Sequence, residues 1–423
     1  MTGERRNFWI GAVNGALYNF GDAYIRGSTV IPAFIQKLTS SGILIGLASI
    51  FEEFWWYLPQ LFVSRYLVDK PKVLKYYVMA SAFRAVSLWG LAASVFIIGS
   101  GHPKLLLTAF FLFFWIYSCG GGYAGVAFME VVGKVVKPEK RGSFFGFRLT
   151  VGGTLAFLSG IFIIRKILES LPFPENFGTL FLIAGIIIPV ALFIFSRIDE
   201  PEILKRPRKR DAFLHVKHGL SIVKKDRSFK KYFVYRILMG AWGLGMPFYI
   251  IFARERLGIP IEMVGVYVAV EFIGYTSLNL VWAYISNNLG NRIINIAISF
   301  TGILTPVIVG VASIYEMTGY QYSIVFFVLG VISSGLRMGG LNYLLEISPV
   351  EERPTYIGVM NTVTALTILL APMGGLILDF TSFEVLYGIV LALALASAVS
   401  SLYLDEPRVT RRRAITVPEI PPS

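Results

Sequence analysis

The sequence has 423 residues, 55% of them hydrophobic and only 15% charged, with a net charge of +13 and a mean hydropathy of +0.66. Ordinary soluble domains carry roughly 25% charged residues, and one membrane-spanning helix needs about 20 apolar residues, so the chain can supply about twelve such helices and is excluded from the soluble, disordered and collagen-like classes. Its apolar runs are continuous rather than alternating, which excludes a transmembrane barrel, and its one cysteine, Cys119, leaves no internal disulfide to form.

Hydropathy predicts an all-α membrane protein with twelve spans, near 8–34, 41–65, 72–98, 104–132, 142–167, 177–196, 229–252, 261–285, 291–314, 320–346, 354–378 and 383–404. The first is no cleavable signal peptide: it is too long, holds Asp22 and Arg26, and leads straight into further spans. Lys and Arg crowd alternate connections, at Arg65 to Lys75, Lys134 to Arg141, Arg197 to Lys231 and Arg408 to Arg413. The intervening connections hold only Lys37, Lys104, Arg165, Lys166, Arg254 and Arg256. That asymmetry places both termini in the cytoplasm of a multi-pass protein of the cell membrane.

The longest polar stretch divides the chain into an N-terminal bundle of six helices (1–196), a linker (197–228) and a C-terminal bundle with a basic tail (229–423). Within the linker, Asp211 to Lys225 mixes apolar and basic residues as an interfacial helix would. A positive-inside loop accounts for this basic run, so no nucleic-acid partner is expected.

The halves repeat one another. Pro138-Glu139-Lys140-Arg141-Gly142-Ser143-Phe144-Phe145-Gly146 opens the fifth span. Pro349 to Gly358 opens the eleventh, again with Pro, an acidic residue, Arg353, and Gly five residues beyond the Arg. Glu53 precedes Tyr66 by the interval that separates Glu271 from Tyr284. Copies six spans apart keep their orientation, a parallel repeat about an axis along the membrane normal.

Nine ionisable side chains fall inside spans: Asp22, Arg26, Glu52, Glu53, Arg84, Arg148, Arg236, Glu271 and Arg337. Each costs roughly 2.5 kcal/mol or more at mid-bilayer, so each is expected to face a cavity or a partner. Asp22 and Arg26 are four apart and share a helix face, which allows either a local ion pair or a substrate or proton site. Glu52 and Glu53 diverge by about 100°. One is expected to pair with Arg84 or Arg148, and the other to serve as a proton-loading carboxyl, with Glu271 its counterpart. Arg236 and Arg337 would attract an anion if unpaired, or else pair with Glu271 or Asp22. Gly120 to Gly122, Gly335, Gly339, Gly340 and the Gly142/Gly146 pair allow close helix approach. The aromatic run Phe51, Phe54 to Tyr57 is read first as packing between helices or against lipid, and second as a substrate wall.

Six plus six spans, the long middle loop and the Pro-x-x-Arg-Gly-x-x-x-Gly turn together resemble the major facilitator superfamily over essentially the whole chain. The stretch from Met129 to Gly153 is similar to the junction of the fourth and fifth spans in prokaryotic members with no assigned substrate. The family's loop signature between spans two and three is partly matched by Asp69-Lys70, with Arg65 and Lys72 in place of its glycines. The resemblance implies a central cavity lined by spans one, four, seven and ten. It also implies an inner gate in which Glu130 with Arg141, and Glu346 with Arg353, join Asp69 in holding the halves together when the outside is open.

The expected protein is a secondary transporter of a small organic solute working by alternating access, monomeric and without cofactor or metal. Proton coupling is favoured because carboxylates are present and no P-loop is; export of an anionic or amphipathic solute is the favoured direction. Alternatives are an uncoupled facilitator of the same fold and a non-transporting sensor or scaffold. An enzyme is not expected: His102, His215 and His218 all lie outside spans, and Cys119 has no nearby base.

Overall fold

The computed structural model describes residues 3–67, 70–202, 221–349 and 352–407, and the described residues hold helices and no strand. Twelve helical rods follow the predicted spans closely. Ten are long and apolar enough, by length and composition, to cross a membrane. The first two are not among these ten, and both are interrupted. Span one runs Gly3–Asp22, tightens into a 3-10 turn at Ala23–Ile25, unwinds, and resumes at Val30–Gln36. Span two breaks at Pro59, between Gly42–Tyr57 and Gln60–Leu67.

Breaks recur in the second half. Span seven runs Arg227–Gly240, a 3-10 turn at Ala241–Leu244, then Phe248–Glu255 behind Pro247. Proline at such a point removes a helical donor, and three glycines in this stretch loosen the backbone. Pro189 and Pro306, by contrast, sit inside continuous helices. Spans five and ten each carry a π turn, at Gly160–Ile164 and Leu336–Gly340. Interrupted helices at corresponding places in two repeats are a pointer to a binding site near the midplane.

The repeat is visible in matching contacts. Arg141 donates to the carbonyl of Gly133, and Arg353 to that of Leu345, each eight residues back. Glu200, just beyond span six, accepts the backbone N–H groups of Val73 and Leu74 at the start of span three. Glu406, just beyond span twelve, lies against Gly290 at the start of span nine. A carboxylate at a helix N-terminus satisfies orphan donors and meets the positive end of the helix dipole. Gly290 has φ of +101°, a conformation open to glycine at little strain. Of the predicted interfacial helix, only the end, 221–225, lies within the described residues, and it is helical.

The halves touch at the face opposite the termini. There span two packs along span eleven and span five along span eight. The approach is so close that a Cβ on Gly375 would lie 2.0 Å from the Gly42 carbonyl oxygen, and one on Gly160 would lie 2.5 Å from that of Gly265. Asp379 of span eleven caps span two, accepting from the Gly42 N–H at 2.6 Å. Gln36 of span one bonds both Arg254 and Glu255 of span seven, each at 2.7 Å. At the terminal face the pattern reverses: a Cβ on Gly142, Gly146 or Gly358 would meet nothing within 4 Å. The molecule is therefore sealed on the far face and open on the terminal face. The close helix approach expected of Gly142 and Gly146 is absent from this conformation, where both face open space. Gly122 meets the expectation, lying against the backbone of Trp56.

Candidate functional site

Where span one unwinds, Arg26 takes an extended backbone, φ −63° and ψ 121°. Gly27 is required at the next position, since a Cβ there would sit 2.5 Å from the Ser49 carbonyl oxygen. The Arg26 guanidinium bonds Asp22 at 2.9 Å and crosses to Glu271 of span eight at 2.8 and 3.2 Å. Ser28 donates its hydroxyl to the other Glu271 oxygen at 2.6 Å. Phe272 lies beneath the guanidinium, 4.8 Å from its ring centre, a cation–π contact. Glu271 is only 3% exposed, so the carboxylate is held almost wholly by hydrogen bonds from the other half. Burial of a charge without such partners is prohibitive.

Below this triad are the remaining intramembrane charges. Glu52 lies 3.9 Å from Arg84, whose guanidinium also donates to the Tyr18 hydroxyl and sits 4.3 Å from the Tyr117 ring centre. Of the two arginines considered for this carboxylate pair, Arg84 is thus the partner. Arg148 instead donates to the Gly11 carbonyl and to Asn14. Glu53 is solvent-exposed and within Coulombic range of Asp22 and Arg26. Arg236 reaches the Thr364 hydroxyl at 3.3 Å and Arg337 the Tyr275 hydroxyl at 3.2 Å. The considered pairing of Arg236 or Arg337 with Glu271 or Asp22 is not what forms: Arg26 holds both carboxylates.

The aromatic run on span two packs mainly inward. Trp55 stands edge-on to Trp115 of span four, and Trp56 covers Gly121, Gly122 and Gly125. Tyr57 faces the gap between halves, within Coulombic range of Glu53, Arg236 and Arg337.

For the residues expected to form an inner gate, the contacts seen among the described residues include the following, each inside its own half. Glu130 lies 3.8 Å from Lys134, Arg141 caps carbonyls of Gly133 and Val136, Asn291 donates to Glu346, and Arg353 reaches Leu345. Asp69 lies outside the described residues. Among the described residues no group of His, Cys, Asp and Glu is placed to hold a metal ion.

Two contributors were not singled out from sequence. Ser28 has no signature beyond its place beside Arg26-Gly27. Glu200, which bonds Lys134 at 2.8 Å, did have a signal: Asp199-Glu200-Pro201 recurs as Asp405-Glu406-Pro407 after span twelve.

Two six-helix halves around a polar gap, with broken helices facing it, define a multi-pass helical protein with the fold of membrane transporters. The family model of the Major Facilitator Superfamily matches residues 232–422. Over 90 residues the chain is 31% identical to the MFS-type transporter calB of Penicillium decumbens, a match spanning 21% of this chain and 16% of that one. Solved structures resemble it throughout. The nucleoside transporter NupG has a TM-score of 0.69 at 12% identity, covering 96% of this chain and 99% of NupG. A D-xylose-proton symporter has a TM-score of 0.69 at 14% identity, covering 95% and 98%. The xylose transporter XylE from E. coli, in a partially occluded inward-open conformation, has a TM-score of 0.69 at 12% identity, covering 96% and 99%. Residues 232–422 thus resemble the Major Facilitator Superfamily, and the chain as a whole shares the fold of these solved transporters.

Proposed function

We propose that the protein is a proton-coupled secondary transporter, moving a small organic solute outward across the cytoplasmic membrane in exchange for entering protons. The halves, 1–196 and 229–423, rock about the gap between them, linked by 197–228. The terminal face is cytoplasmic on the charge asymmetry of the loops, which makes the described state inward-open. One chain contains the whole pathway and works as a monomer.

The Asp22–Arg26–Glu271 triad is the observation that carries this reading. Its Arg26–Glu271 pair joins the halves in the described state, in which the outer face is sealed, and on this reading it breaks when that face opens. Protonating Glu271 removes the negative charge opposite Arg26, leaving that guanidinium to Asp22 and weakening the seal. A bond present in one state and absent in the other lets a proton bias the equilibrium between them. Glu53, exposed in the gap, is positioned to pass the proton onward. A D-xylose-proton symporter of the same fold is coupled to protons according to its name, which supports the same energy source here.

The test is exchange from proteoliposomes loaded with a mixed solute library and a pH-sensitive dye. Gradient-dependent loss of one solute class, abolished by Glu271→Gln or Glu53→Gln, is the expected result. Exchange indifferent to the gradient would establish a facilitator instead. No exchange from folded protein would favour a sensor or scaffold.

A further inference from the structure

Three arginines lie at about one depth. Arg148 lies ten residues above Pro138 at the cytoplasmic end of span five, Arg236 nine above Arg227 of span seven, and Arg337 ten above Ile347 of span ten. At about 1.5 Å per residue, all three stand about 15 Å into a hydrocarbon core of about 30 Å, at its midplane. They come from both halves. Arg337 is solvent-exposed, yet its guanidinium reaches Tyr275 of span eight and lies within Coulombic range of Arg148, so it faces the gap and not lipid.

Their charges are not neutralised as the others are. Arg26 is matched by Asp22 and Glu271, and Arg84 by Glu52. Among the described residues, Arg148, Arg236 and Arg337 have hydroxyl, amide and carbonyl partners but no carboxylate within 4.0 Å. Glu53 shares with Arg236 and Arg337 the surroundings of Tyr57. Holding three guanidinium groups at mid-membrane without counter-charges is costly. A ligand that supplies those charges removes the cost.

Resting on the transporter reading above, and naming its substrate class, we infer that Arg236 and Arg337 form the binding site for a small organic anion with two negative charges on carboxylate or phosphate groups. Each guanidinium offers a planar fork of donors that matches one such group. Arg148, held over Gly15 so closely that a Cβ there would strike its side chain, adds fixed positive charge from the opposite half. A ligand bridging Arg337 with Arg148's half draws the halves together as the inner face closes. The Tyr57 hydroxyl, within Coulombic range of both arginines, offers a donor to a further oxygen.

The experiment uses the full chain in proteoliposomes, with labelled succinate, ribose phosphate, ribose and choline as separate probes. Uptake or exchange of succinate or ribose phosphate, but not of ribose or choline, is expected; which of the two anions moves distinguishes carboxylate from phosphate. Arg337→Gln and Arg236→Gln should each reduce that flux roughly tenfold or more. Arg337→Lys, which keeps the charge but loses the fork, should fall between and guards against misfolding. In parallel, the moving anion should raise the melting temperature of detergent-solubilised wild type and not of Arg337→Gln. Flux of ribose or choline alone would overturn the anion assignment and leave the transporter reading intact. Anion flux unchanged in the folded variants would overturn the site. No flux of any probe, with no thermal shift, would overturn the anion site, while the broader solute library decides the transporter reading separately.

Discussion

Replacing Glu271 with Gln removes the charge that ties the two halves together at the outer seal. Glu271 is 3% exposed and accepts three hydrogen bonds, two from Arg26 and one from Ser28. Breaking a buried ion pair by deleting one partner costs 3–5 kcal/mol. Two features reduce this: Arg26 keeps Asp22, and the Gln oxygen still accepts a bond. About 2 kcal/mol remains, in line with hydrogen bonds to charged groups. On the proposed mechanism the contact is made in the sealed state and broken in the other, so the loss falls on the sealed state. At 1.36 kcal/mol per decade, 2 kcal/mol is about thirtyfold. An outward-open population of about 1% would therefore rise to about a quarter. Spin labels at His102 and Tyr315, on the outer ends of the two halves in a Cys119→Ser background, report this by pulsed electron resonance. Wild type should give one short distance, and Glu271→Gln a second, longer one. An unchanged distribution from well-folded Glu271→Gln would show that the triad does not hold the seal.

Gly375→Val drives a side chain into the Gly42 backbone, an overpacking that costs about 1–3 kcal/mol, so the same label pair should lengthen and transport should fail. Gly146→Val and Gly358→Val meet open space here; melting temperature should stay within about 1 °C of wild type, while on the proposed mechanism transport is lost because the terminal face can no longer close. Asp405, beyond the last span, is buried enough to push its carboxyl up, but hydrogen bonds from Lys231 and Ser228 outweigh this and hold it below the usual range. A depressed carboxyl stabilises the fold above its unfolded value, near pH 3.9, and loses that contribution as pH falls through its folded value. Asp405→Asn should melt below wild type at pH 7, with the gap closing towards pH 3; a constant gap would contradict the ion-pair account.

Spans, their repeat and their broken charges were legible because each depends on local composition: about twenty apolar residues make a span, and an ionisable residue within it demands a partner. The i,i+4 pair of Asp22 and Arg26 could be read from helical spacing alone. That Glu271 completes it could not. The contact joins residues 245 apart in sequence across an interface whose closure is a property of one conformation. For the same reason Gly142 and Gly146 read as packing glycines yet face open space. Local unwinding at Arg26–Thr29 precedes Pro32 in the first turn of the resumed helix, much as the break in span seven precedes Phe248 at Pro247. Glu200 escaped notice because its partners, the start of span three and Lys134, are brought to it only by folding, although its Asp-Glu-Pro repeat was present in the sequence.

The central claim is that one molecule opens each face in turn. Labels at Lys140 and Asn288 span the inner ends of spans five and eight, which touch only at the far face, and complement the outer pair at His102 and Tyr315. Measured across pH and across Glu271→Gln, the two distances should move in opposition: whatever fraction lengthens outside should shorten inside. Populations that lengthen or shorten together, or an outer face that opens under no condition, would contradict alternating access by these two halves.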